Sequence, residues 1–450
     1  MKKNKIVFLI LFISLIIRFA LFFTKWDDLR HGTALRYAST AIGFYNGKGL
    51  STNSTEIEKI SFFKNNFSGN YLEFYDQANR QKFTEFLPGP AILLGLLWKI
   101  IPFYNFAPYI WFKIILESIL ILLFYVVFKN SGKYAVLLAT ILMIFNLPVI
   151  KRTLMMGYDF WPQFAMLITF IGVYCAIFKN KSYLLFITGL VAGITVWFRS
   201  ITSFLPFIIV LFIVIYQKFS EKRGSFTVLK NALSYILPVI LLIVSLSIFR
   251  YNQTGNMRPT RSTFWHSFFC GVGQFSNPYN IESKDSDVWE LGQKLSPDLK
   301  NSSLSKQYNL PNSPYEITLK KEAFNFIIKH PHLFIRNTFY RIGIMISPFL
   351  YRGGDFIPSS LSNLLLPIGI IAFFLWFFGM YYLFKNQKLI FWLSATIYFY
   401  FFAAFGWFYV VGRVILPFLF INIFVYLFGI KLIITKLKEA RLNASTHPKS

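Results

Sequence analysis

The chain has 450 residues, of which 55% are hydrophobic, 20% aromatic and only 14% charged, against roughly 25% charged in a soluble protein. No soluble fold has the interior to hide that much apolar surface, and disordered chains are poor in aromatics, which leaves a polytopic membrane protein. The excess of 46 Lys and Arg over 19 Asp and Glu fits anionic headgroups and a positive-inside bias. No basic cluster interleaved with stacking aromatics stands apart from the apolar runs, so no nucleic acid partner is expected.

In chain order, Lys2, Lys3 and Lys5 precede an apolar run over 6–23. Thr24-Lys25-Trp26-Asp27-Asp28 follows where a cleavage site would need small residues, which predicts an uncleaved first span. The polar loop 24–86 comes next, and within it 33–47 reads as a short helix ended by Gly47-Lys48-Gly49. The run 87–102 begins Leu87-Pro88-Gly89-Pro90 and contains Lys99. Runs able to cross ~30 Å of hydrocarbon fall at 106–128, 134–149, 160–178, 183–198, 202–216 and 231–249. A second polar loop occupies 250–332. There Ser313-Pro314 starts an amphipathic helix with Ile317, Ala323, Phe324, Ile327 and Ile328 on one face, and Pro331 stops it. The run 333–350 carries Arg336 and Arg341, and further spans follow at 364–384, 389–405 and 414–430.

Short loops rich in Lys and Arg belong on the cytoplasmic side. Lys129 with Lys133, Lys179 with Lys181, Lys218 through Lys230, Lys385 with Lys388, and the basic tail all share the side of the N-terminus only if 87–102 and 333–350 do not cross. Those two runs then become re-entrant or interfacial helices. The expectation is one integral-membrane domain over 1–450 with ten full spans, both termini cytoplasmic, and the loops 24–86 and 250–332 outside. Lys113 and Glu117, four apart on one helix, are expected to neutralise each other. Cys175 lies in a span and Cys270 in a loop, so no disulfide is expected. No Cys/His set shows zinc spacing, and His330 with His332 are too few for a site.

On this topology the basic residues Lys151, Arg152, Arg199 and Arg413 lie in short outside loops and break the charge pattern. Guanidinium groups near the membrane surface suit a phosphate or diphosphate, while snorkelling to lipid phosphates is the plainer role. Asp27 and Asp28 directly follow the first span, where paired carboxylates can serve as a general base, bind a divalent cation, or merely cap a helix. Asp159, before Phe160-Trp161-Pro162, occupies an N-cap position. Glu85 and Asp76 are further acids of the first loop.

The arrangement resembles the membrane glycosyltransferases of the GT-C fold, in particular the bacterial dolichyl-phosphate-mannose protein mannosyltransferase-like branch, to which the aminoarabinose transferases acting on lipid A are related. The likeness runs in patches over most of the chain. Tyr37-x-x-x-Ala41 followed by Asn46-Gly47-Lys48-Gly49 is similar to the segment after the family's first-loop acid. Leu87-Pro88-Gly89-Pro90 is similar to its Pro-Gly-x-Pro approach to an apolar helix, and Asn146-x-Pro148 to the close of its fourth hydrophobic segment. Thr188-Gly189 through Gly193, with Phe198-Arg199, resembles a Gly-x-x-x-Gly span ending in Arg. Glu322-Ala323 through His330-Pro331 resembles a helix that precedes a late hydrophobic one. Gly412-Arg413 with Pro417 resembles a C-terminal Arg-x-x-x-Pro.

The resemblance implies a GT-C-like helical bundle that transfers a sugar from a polyprenyl-phosphate-linked donor to a glycan, lipid or protein acceptor at the outer face of the cell membrane. It assigns Arg199 and Arg413 to the donor phosphate, and Arg152 and Lys151 join them as candidates by their place in a short outside loop. It gives Asp28 or Asp27 the role of general base or cation ligand; Tyr37, Asp76 and Glu85 are the substrate-loop candidates. The family's usual acid aligns near Thr33, which cannot act as a base. Asp27, Asp28 or Asp159 therefore takes that role, or the chain is inactive, and a metal requirement stays open. A flippase, or a ligase or polymerase of lipid-linked glycans, is the alternative. Spans nearly free of charge, with polar residues gathered at one face, favour the transferase over a transporter.

Overall fold

The computed structural model describes residues 2–24, 32–62, 70–78, 80–83, 87–156, 159–255, 257–258, 264–296, 299, 313–348, 359–407 and 412–446. Among these, the sole sheet is an antiparallel pair, β1 (Ser51–Thr52) with β2 (Gln81–Lys82), in which Ser51 faces Lys82. The remaining regular structure is helical. The chain forms two compact units, Met1–Pro259 and Thr260–Ser450.

In the first unit, α1 (Lys2–Thr24) is the N-terminal apolar helix and α2 (Gly32–Tyr45) the short helix expected in the first loop. The Gly47-Lys48-Gly49 turn ends α2, with Gly47 and Gly49 at φ +73 and +66, where a side chain would strain the backbone. After α3 (Ser54–Phe62), α4 (Gly89–Ile100) is a 12-residue apolar helix, too short to cross. Then α5 (Ala107–Phe128) begins where the Asn105 side chain accepts the Ala107 N–H at 2.8 Å. The run expected as one span over 134–149 is two helices, α6 (Lys133–Ile144) and α7 (Leu147–Leu154), bent by 48°. Asn146 causes the break: its side chain accepts the Val149 N–H at 3.1 Å and starts a new helix, and Pro148 sits in the first turn, where it needs no donor. The unit continues with α8 (Phe160–Lys179), α9 (Ser182–Val196), α10 (Leu205–Ile215) and α11 (Ser225–Thr254).

Close helix approach in this unit rests on glycine. A Cβ on Gly189 of α9 would lie 2.0 Å from the Tyr235 carbonyl oxygen on α11, so the two backbones touch where a side chain would part them.

The second unit opens with α12 (Phe264–Val272), α13 (Asp285–Leu295), α14 (Pro314–Lys329) and α15 (Pro331–Ile346). Ser313 caps α14 by accepting the Glu316 N–H at 3.3 Å, as its place before Pro314 predicts. The buried face of α14 matches the expected one in part, at Ala323 and half-buried Ile327. Tyr315, Leu319, Ala323 and Phe326 point inward, while Ile317, Phe324 and Ile328 are exposed. Three long helices follow: α16 (Ser359–Asn386), α17 (Lys388–Phe405) and α18 (Gly412–Thr446).

Eight helices among the described residues are long and apolar enough to cross a membrane, or nine if the bent α6–α7 pair is one span. The tenth expected span, 183–198, is the shorter apolar helix α9 of 15 residues, about 22 Å long. The chain is a multi-pass, all-α membrane protein. Neither α4 nor α15 is among the crossing helices, in keeping with the non-crossing role expected for 87–102 and 333–350.

Candidate functional site

Asp159 stands at the N-cap position of α8 but makes no capping bond from its side chain. Its carboxylate turns to two arginines instead. Oδ2 lies 3.4 Å from Arg152 Nη1, and Oδ1 lies 3.4 Å from Arg199 Nη1. The three side chains are 14%, 16% and 21% exposed, so the group is sheltered yet reachable. The expectations that set Asp159 apart as a base or cap and Arg152 and Arg199 as phosphate ligands thus meet in one ionic cluster.

Each arm of the cluster is held by packing that the sequence explains. Arg152 lies in the last turn of α7, whose last carbonyls have no helical partners. The buried Lys113 Nζ reaches those carbonyls, donating to Met155 O and lying 3.5 Å from Arg152 O, with the Tyr109 ring 5.0 Å beneath it. A cation at a helix C-terminus is electrostatically favoured. Arg199 follows α9, and the Trp197-Phe198 pair before it is fixed on three sides. The Trp197 indole donates to Leu242 O at 3.0 Å, Phe198 stacks on Trp161 with ring centroids 3.8 Å apart, and the Gly89 N–H donates to Trp197 O at 3.0 Å. A Cβ on Gly89 would sit 2.7 Å from that oxygen. The Pro-Gly-x-Pro and Phe-Arg segments, remote in sequence, therefore form one contact.

Glu117 forms no direct ion pair with Lys113. It pairs with Arg18 of α1, whose Nε lies 2.7 Å from Oε2, and accepts from Thr153 of α7 at 2.7 Å and from Gln163 of α8 at 3.4 Å. Arg18 and Glu117 are both fully buried. Lone charges there would carry a large desolvation cost, so the pair ties α1 to α5 and steadies α7 and α8 beneath the cluster.

The other candidates fall elsewhere. Lys151 is exposed on α7. Tyr37 is fully buried against Phe83, a core residue of the first loop. The Asp76 carboxylate accepts the Ala78 N–H at 2.9 Å and so shapes a local turn. Beside it lies a pair that the sequence reading missed: buried Glu56 bonds Arg80, which also donates to Ser39 O and Ser51 O at 3.0 Å each. This clasp closes the first loop on α2. Asp27, Asp28 and Glu85 lie outside the described residues, and Arg413 falls in the first turn of α18 with its side chain outside them.

Two guanidiniums on one carboxylate favour an oxyanion and disfavour a divalent cation at the same spot. The cluster is thus suited to grip a phosphate through forked N–H donors.

No family model matches the chain, and no curated protein matches it. Among solved structures it is similar to an archaeal oligosaccharyltransferase, AglB from Archaeoglobus fulgidus, in complex with an inhibitory peptide and a dolichol-phosphate, at 14% identity and a TM-score of 0.46. The match covers 99% of this chain and 52% of AglB, so the chain spans about half the length of that protein.

Proposed function

We propose that the chain is an integral-membrane, GT-C-like glycosyltransferase that moves a sugar from a polyprenyl-phosphate-linked donor to a glycan, lipid or protein acceptor at the outer face of the cell membrane. The observation that carries this reading is the convergence of Arg152 and Arg199 on Asp159 where α7, α8 and α9 end or begin. In such a transfer the bond between the sugar carbon and the phosphate oxygen breaks, and a bond from that carbon to the acceptor forms. Charge grows on the departing phosphate, where forked donors stabilise it. Asp159 fixes the spacing of the two guanidiniums. The acceptor's proton passes to a carboxylate, for which Asp28 and Asp27 are the first choices by resemblance. A lipid-linked donor also needs an apolar groove for its polyprenyl chain, and exposed apolar helix faces supply that chemistry.

The test is a profile of lipid-linked and surface glycans in cells with and without the gene, complemented by Arg199→Ala, Asp28→Asn and the unaltered chain. The expected result is loss of one sugar from a surface glycan on deletion, and the same loss with Arg199→Ala at normal protein level. Accumulation of a full-length lipid-linked glycan of unchanged composition overturns the reading in favour of a ligase or flippase.

A further inference from the structure

We propose that His266, Cys270 and Asp285 in the second unit form a binding site for a divalent transition ion of the zinc class. The three residues lie outside the arginine cluster, and the proposal does not depend on the transferase reading.

His266 and Cys270 are one turn apart on α12, so their side chains share a face, and they are 1% and 2% exposed. Asp285 is the first residue of α13, and its side chain is 63% exposed, which gives an ion a route in from solvent. One Asp285 oxygen lies 3.0 Å from His266 Nε2 and 3.7 Å from Cys270 Sγ. All three ligand atoms fall within 4.8 Å of one another. Tetrahedral zinc, with bonds of about 2.0–2.3 Å, sets its ligand atoms about 3.3–3.7 Å apart, so only small movements close the site.

The imidazole is oriented as a ligand is. Its Nδ1 lies 2.7 Å from the hydroxyl of Tyr315, a fully buried residue, and that hydroxyl has a longer contact of 3.5 Å to Val288 O. With the hydroxyl proton on Val288 O, the Nδ1–H donates to Tyr315 and the Nε2 lone pair points at the Asp285 carboxylate. In the other tautomer Nε2–H donates to the Asp285 carboxylate at 3.0 Å, and an ion entering beside the thiolate takes the place of that proton. Sulfur and imidazole ligands select zinc over magnesium or calcium. The three ligands leave the fourth tetrahedral position to water or another donor, and the ion would pin the start of α13 to α12. Cys270 forms no disulfide with Cys175.

The test uses the full chain in detergent, stripped by chelator and titrated with Co²⁺. The expected result is one cobalt per chain, a sulfur-to-cobalt charge-transfer band and displacement by Zn²⁺. Cys270→Ser loses the band. Tyr315→Phe keeps the packing but weakens the affinity about 10–100-fold. If Cys270→Ser fails to fold, alkylation of Cys270 in a Cys175→Ser background replaces it, and Zn²⁺ is expected to slow the reaction. An absent band, a band that survives Cys270→Ser, or alkylation indifferent to Zn²⁺ overturns the proposal, and the three residues are then an ordinary imidazole–carboxylate contact.

Discussion

Asp159 holds two guanidiniums at equal distance, and forked geometry rather than net charge decides what such a cluster can grip. In a transfer assay, Arg199→Ala is expected to lower turnover about 10²-fold or more, the usual loss for a donor on developing charge. Arg199→Lys is expected to recover little, because an ammonium cannot donate two parallel bonds. Full activity in the lysine variant would mean that a point charge suffices. A second residue makes a prediction about pH. Glu316 is 4% exposed, with Oε1 lacking a partner among the described residues. Burial pushes its carboxyl up to about 7, against the opposing pull of the Trp265 and His266 backbone N–H groups. The folded state therefore holds this proton more tightly than the unfolded one. The resulting stabilisation is complete below the ordinary value of 4.5 and is lost as pH rises through about 7. The thermal midpoint should fall across that window in the native chain and stay flatter in Glu316→Gln, and parallel curves for the two proteins would remove Glu316 as the cause.

At the scale of elements, helix contacts depend on where side chains are missing. Gly189→Ala would drive a methyl group into the Tyr235 carbonyl at 2.0 Å, against backbone that cannot rotate away. The expected cost is about 1–3 kcal/mol, read as a lower midpoint in detergent, with the strain passing along α9 toward Arg199. An unchanged midpoint would show that α9 shifts freely on α11. The same scale explains what the sequence disclosed. Apolar length located the expected spans because hydrocarbon thickness imposes it, and the caps at Asn146 and Ser313 act through their own side chains. Hydropathy alone merged α6 with α7, since an Asn-x-Pro break barely lowers the mean over a long window. It also takes in exposed Ile317, Phe324 and Ile328 on α14 along with buried Ala323, because contacts with other helices, not apolarity alone, decide which face is buried. The site was half legible. Asp159, Arg152 and Arg199 are conspicuous charges at helix ends, but their meeting depends on the Gly89–Trp197 and Trp161–Phe198 contacts, which pair residues far apart in sequence. Glu56 with Arg80, and His266 with Cys270 and Asp285, carry no tell-tale run at all, although the four-residue step from His266 to Cys270 is a faint signal.

At the scale of the whole chain, the cluster bears on sidedness. It joins the last turn of α7, the first residue before α8 and the residues just after α9, so these three ends share one side. The α8–α9 hairpin carrying Lys179 and Lys181 is then at the opposite side, and α9, at 15 residues, must bridge the two with about 22 Å of helix. A helix that short crosses by thinning the bilayer or by drawing polar ends inward, and Arg199 at its end is long enough to reach a headgroup. By the positive-inside rule, Lys181 and Asn386 are expected in the cytoplasm and Asn277 outside. Fusions truncated at Lys181, Asn277 and Asn386 test this directly. An alkaline phosphatase, active only after export, is expected to work at Asn277 alone, and a fluorescent protein that folds only in the cytoplasm is expected to shine at the other two. Phosphatase activity at Lys181 would mean that the orientation is reversed. It would put Arg152, Asp159 and Arg199 on the cytoplasmic side, where an outward-facing transfer from a lipid-linked donor could not use them.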